Sequence, residues 1–280
     1  MVWAEASPTT KMAAWTSSDL AGAYGRLLDT GVAFIVVGGQ AVNLWAEHYR
    51  QRLPRTELDS FAPLASRDLD LLGGSVDVER AGRALQVDFL AVRPRERTDS
   101  PHTGTLHLPV AGRDELTVQF IHTPVGANPA EVRKTARPLA WHGCIVPVMH
   151  PLLCLESKVA CLCRLAQEGR QDEKHARLCL VLVREFIAER LTPENERELR
   201  EIIARVLDLA GDERGLCVWH EHGIRVEESL PISAMRETAG ALPKIAGFLE
   251  NEWPRREMAL AELRASFGEI ARRRAEAEHG

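Results

Sequence analysis

The chain has 280 residues, 45% of them hydrophobic and 27% charged, with a formal net charge of −5. That length can bury a sizeable core in one large or two modest domains, and the slightly acidic balance argues against a protein that grips long nucleic acid through its phosphates alone. No run approaches the roughly 18–20 apolar residues of a membrane helix, and the opening MVWAEASPTTKMAAW lacks the basic and apolar segments of a secretory leader, so a cytoplasmic protein with no membrane partner is expected.

Ser17 or Ser18 can cap a first helix running to about Asp29, where DTG stops it. VAFIVVGG (Val32–Gly39) is apolar and rich in β-branched residues, the pattern of a buried strand. A helix opens at once in QAVNLWAEHYRQ, and residues 51–65, with two prolines, read as a loop. Arg67–Gly73 alternates charge with leucine, as a half-buried strand does, and Val76–Gln86 has helical spacing. Thr105–Val110 and Leu116–Thr123 are alternating runs joined by AGRD, an antiparallel hairpin. A short helix and a strand at about Cys144–Val148 follow.

Beyond His150 the pattern turns helical: one helix from Pro151, one over DEKHARLCLVLVREFIAERL, a third with Thr192 as cap, Pro193 first and Gly211 as stop, and a charged closing helix from EWPRREMALAEL onward. The expected organisation is an α/β domain over 1–150 and a helical domain over 151–280. The six cysteines form no C-x-x-C pair and are expected to be buried and reduced. His220 and His222 in WHEHG are two apart, a spacing that suits a strand or loop.

The chemistry concentrates in two stretches. Asp68 and Asp70, two apart on a strand, project to one face while Leu69 and Leu71 face the other. Two adjacent carboxylates repel, and a divalent cation relieves that repulsion; Mg²⁺ takes hard oxygen ligands and leaves positions for substrate phosphates. Gly38 and Gly39 sit between strand and helix, where glycine lets a ligand approach the backbone and the free N–H groups favour an anion. Gln40 follows them and joins the expected nucleotide-binding set.

VVGGQAVNLWA…SRDLDLL resembles the nucleotidyltransferase fold of polymerase-β-like enzymes, and is most similar to minimal bacterial nucleotidyltransferases and AbiEii-type toxin enzymes. The likeness covers about residues 17–160 and implies a mixed β-sheet flanked by helices. It implies transfer of a nucleotide from an NTP to a hydroxyl on a protein, an RNA or a small molecule. Asp68 and Asp70 would hold Mg²⁺ or Mn²⁺, Gly38 and Gly39 would contact the triphosphate, and Arg67 and Lys158 would stand near it. The loop at 51–65 is longer than is usual between these motifs.

Active relatives carry a third acidic residue on a later strand, and the matching position here is Gln119. An amide can accept a hydrogen bond but takes no proton. Glu115, on the same strand face, and Asp88, earlier in the chain, are the candidate substitutes. The alternative expectation is therefore a binding module that keeps the fold and has lost the chemistry, with nucleotide, RNA, a second copy or a partner protein as ligand, in a toxin–antitoxin or phage-defence setting. Asp172, Lys174 and His175 are explained by a charged helix start, Arg93–Asp99 by a solvated basic loop, and Arg272–Arg274 by the last helix turns.

Overall fold

A computed structural model describes residues 14–92, 100–113 and 115–279. The basic loop Arg93–Asp99 lies outside the described residues. In chain order the first half comprises β1 (Trp15–Thr16), α1 (Ala21–Asp29), β2 (Ile35–Val36), α2 (Gly38–Tyr49), α3 (Arg55–Asp59), β3 (Ala65–Ser66), β4 (Leu69–Leu72), α4 (Ser75–Leu85), β5 (Phe89–Ala91), β6 (His102–Leu108), β7 (Leu116–Ile121), α5 (Pro129–Thr135), β8 (Arg137–Trp141) and β9 (Cys144–Val148). The second half is helical: α6 (Pro151–Arg164), α7 (Asp172–Glu189), α8 (Glu196–Gly211), α9 (Glu213–His222), α10 (Ile232–Thr238), α11 (Pro243–Gly247) and α12 (Trp253–His279).

Seven strands form one mixed sheet in the order β5-β6-β7-β4-β2-β9-β8, and β1 pairs with β3 in a separate ribbon. β2 runs antiparallel to β4 and parallel to β9, while β4 runs parallel to β7. Leu69 and Leu71 are fully buried, and Asp70 between them is only partly covered, as the period of two requires. The α2 helix is apolar nearly all round, and every residue from Gly39 to Ala46 is buried. It packs on α6 and α7, and Trp45 Nε1 donates to Met149 O at 2.8 Å. One buried cluster runs from Trp15 to Leu260, so the compositional change near residue 150 is not a break in the core.

Several local expectations are corrected. Neither Ser17 nor Ser18 caps α1, whose N-cap is Leu20; Asp19 instead accepts from Thr16 N and Oγ1, at 2.8 and 2.7 Å, and pairs with Arg113. The strand expected over Val32–Gly39 contracts to Ile35–Val36, because the two glycines already belong to α2. The 51–65 loop contains α3 and the first residue of β3, and strands β5 and β8 are additional. Thr192 stands at the N-cap with Pro193 first, but of a single 3-10 turn, Pro193–Asn195, which precedes α8, and its side chain makes no capping hydrogen bond. His220 and His222 lie in the last turn of α9. All six cysteines are free, three buried and three half-buried. Among the described residues no helix is long and apolar enough to cross a membrane.

The start of α6 carries a pH device. His150, 6% exposed, caps the helix by accepting from Leu152 N through Nδ1 and packs edge-on against Phe186. Burial, reinforced by Arg137, Arg190 and Arg205, pushes its pKa down to about 3. The unfolded chain therefore binds a proton that the folded protein refuses between about pH 3 and the ordinary value near 6.5. The stabilisation is complete above pH 6.5 and is lost as pH falls. His150→Asn keeps a capping acceptor and removes the titration. Denaturant midpoints should show the wild type losing ground to the variant by about 1.4 kcal/mol per pH unit below 6.5; parallel pH profiles would contradict this.

Candidate functional site

The antiparallel pairing of β2 with β4 lays the C-terminal end of one strand beside the N-terminal end of the other. The turn that opens α2 therefore meets the two aspartates. Val37 N donates to Asp70 O at 3.0 Å. Gly38 has φ +64, and a Cβ built on it would lie 2.1 Å from Asp70 Oδ2. A Cβ on Gly39 would lie 2.8 Å from Ser66 Oγ and 3.0 Å from His175 Cε1. Only glycine permits both that dihedral and that approach. On the other side of β4, the parallel register sets Gln119 directly beside Asp70.

A cavity of about 450 Å³ opens at this junction, within the size range of small-molecule sites. Gly38, Gly39, Arg67, Asp68, Asp70, Gln119 and Lys158 all line it. Gln40 does not: it is fully buried, and its Nε2 donates to Trp15 O at 2.8 Å, tying the N-terminal ribbon to α2. Arg67 lines the cavity and also crosses it, donating through Nη2 to Gly169 O at 2.6 Å in the α6–α7 connector.

The walls carry opposite charge. On the sheet side stand Asp68 and Asp70. Burial is the main reason the Asp70 carboxyl is pushed up to about 6; Lys158 counteracts it and Asp68 adds to it. Burial likewise raises Asp68, against the charges of Arg67 and His102. On the helical side stand Lys158, 7% exposed, and Arg170. Lys158 Nζ donates to Asp172 Oδ1 at 2.7 Å and Arg170 Nε to Asp172 Oδ2 at 2.5 Å. Burial works against the Lys158 ammonium, yet the neighbouring groups together, Asp172 first and Asp70 among them, outweigh it and hold the lysine above its ordinary value.

The donor set on the sheet side suits a divalent cation. Two hard carboxylates, raised toward protonation by burial and without an ion pair or hydrogen bond among the described residues, face one cavity. Among the described residues no group of three or more His, Cys, Asp or Glu side chains is placed to hold a metal ion. A cation held there would complete its shell from water and ligand oxygens, which is how Mg²⁺ is commonly bound.

The two candidate replacements for a third acid lie elsewhere. Glu115 is exposed and sits 3.6 Å from His107, and Asp88 is exposed beyond β6; neither lines the cavity. Arg170 and His102 line the cavity and carry no sequence pattern that marks them. Asp172 and His175, which the sequence assigns to a charged helix start, line it as well; His175 is 4% exposed, its Nε2 has no partner among the described residues, and its i, i+3 spacing from Asp172 is the available signal. Lys174 points away from this group and donates to Pro63 O at 2.9 Å. A scan against protein-family models finds no match for the chain, and a search of curated proteins finds none.

Proposed function

We propose that the protein is a metal-dependent nucleotidyltransferase that moves a nucleotide from an NTP to a hydroxyl acceptor. The observation that carries this reading is the pairing of two carboxylates, neither with an ion pair or hydrogen bond among the described residues, with the backbone start of a twelve-residue helix, across a cavity from two cations. Mg²⁺ or Mn²⁺ held by Asp68 and Asp70 would supply charge neutralisation for the transferring phosphate. The N–H groups that open α2 at Gly38 and Gly39 would meet phosphate oxygens, which the helix terminus favours. Lys158 and Arg170 would receive the remaining anionic oxygens. Gln119, beside Asp70, can orient an acceptor hydroxyl by hydrogen bonding but cannot take its proton.

That last point favours a second reading, a nucleotide-binding protein whose transfer chemistry is weakened or lost. One experiment separates the two. The protein is incubated with each labelled NTP, Mg²⁺ or Mn²⁺, and a cell extract. Label transferred to any acceptor, and lost in Asp68→Ala, is the expected result for the enzyme. Thermal stabilisation by an NTP with Mg²⁺ but no transfer assigns the binding protein. No shift with any nucleotide rejects both.

A further inference from the structure

We propose that Asp172 is a positioning residue, which holds Lys158 and Arg170 together as a paired cationic wall for a polyphosphate-bearing ligand. The proposal rests on the reading of the cavity as an NTP site and adds what makes its cationic side possible.

Asp172 opens α7 and is 3% exposed. Each of its oxygens serves one cation: Oδ1 takes Lys158 Nζ and Oδ2 takes Arg170 Nε. Both oxygens are thus engaged by cations, and it acts through the two side chains it holds. Its own charge state fits that task. Burial alone would raise the carboxyl, but Lys158 and then Arg170 outweigh it and hold it below the ordinary value.

The geometry also leaves both cations usable. Lys158 has three N–H donors and gives one to Asp172. Arg170 is held through Nε, so the pairing leaves its terminal nitrogens free of Asp172. Two cations against one carboxylate leave one net positive charge on this wall, facing Asp68 and Asp70. Without Asp172 the Lys158 ammonium would be a buried charge with no counterion at contact distance, a state that proteins avoid by neutralising or expelling the group. Arg170, carried on the connector between α6 and α7, would lose the contact that aims it. An acid in the first turn of a helix is often placed there for the dipole alone, but a dipole partner does not need both oxygens committed to cations from two other segments.

The test uses inorganic tripolyphosphate, titrated by calorimetry into the full chain without divalent metal, with melting temperatures recorded in parallel. Wild type is expected to bind it, and Asp172→Asn to bind it about tenfold more weakly or worse. The double variant Lys158→Met/Asp172→Leu removes both buried charges and should melt near the wild type while still binding about tenfold more weakly. It carries the test if Asp172→Asn does not fold. Affinity within about twofold of wild type in either folded variant overturns the proposal, as does a wild type that does not bind tripolyphosphate. Tripolyphosphate binding with this Asp172 dependence, but no response to any NTP, sustains the cationic wall and rejects the nucleotide reading. Nucleotide transfer with an unchanged Asp172→Asn affinity does the reverse.

Discussion

Asp70→Asn is expected to raise the melting temperature of the metal-free protein at pH 8 while abolishing the response to Mg²⁺ and nucleotide. The carboxyl lines the cavity, and burial, with Asp68 adding to it against Lys158, pushes its pKa up to about 6. In the unfolded chain it returns to about 3.8. The folded protein therefore holds an extra proton between those two values, and its stability falls as pH rises through that window. Above pH 6 the whole penalty is present. Two pKa units correspond to about 3 kcal/mol, and access to cavity water lowers that, leaving about 1–3 kcal/mol. For a chain of this size the melting temperature should rise by about 2–10 °C. At pH 5 the gain should shrink, because the wild-type carboxyl is by then protonated. With Mg²⁺ and an NTP the order should invert, since the wild type gains binding energy that the amide cannot collect. A metal-free variant that melts below the wild type would contradict the account of Asp70 as an acid whose charge burial penalises.

How much of this was legible in the chain depends on the range of the interaction. The Gly-Gly turn and the D-x-D alternation are local, and period-two geometry already places Asp68 and Asp70 on one face. Their meeting is not local: it follows from β2 and β4 being antiparallel neighbours, an order that no residue in either stretch encodes by itself. The same applies to Gln119, which the resemblance marked and which the parallel register of β7 sets beside Asp70. Strands β5 and β8 were missed because each is an edge strand of five residues or fewer, too short for alternation to stand out. Gln40 misled for a different reason. It follows two cavity glycines in sequence, but a helix turns each successive residue by a hundred degrees, and one step carries it from the cavity into the core. His220 and His222 misled because spacing alone ignores the surrounding apolar residues, which have helical period over Glu213–His222. Asp172 looked like a helix-start acid and is one; its two cations come from segments 14 and 2 residues away, and only folding joins the first to it.

Gly38→Ala should be strongly destabilising, and a second glycine provides its control. At φ +64 an alanine costs about 1–2 kcal/mol in backbone strain. Its Cβ would also meet Asp70, at 2.1 Å from Oδ2, 3.0 Å from Cγ and 3.1 Å from Cβ. Rotating the carboxylate clears the first contact but not the last, so the strand or the helix start must shift, at about 1–3 kcal/mol. The expected loss is about 2–5 kcal/mol, read from denaturant unfolding. Gly31, just past the end of α1, has φ +66, and a Cβ there meets nothing within 4 Å. Gly31→Ala therefore carries the strain without the collision and should lose only about 1–2 kcal/mol. The difference between the two variants isolates the contact with Asp70. Binding should separate them further: Gly31→Ala should retain the wild-type response to NTP and Mg²⁺ once folded, whereas Gly38→Ala should lose it even in the fraction that folds, because the methyl occupies the space between the helix start and the acid. Equal losses of stability in the two variants, or an intact nucleotide response in Gly38→Ala, would mean that the helix start and Asp70 are not the two sides of one site.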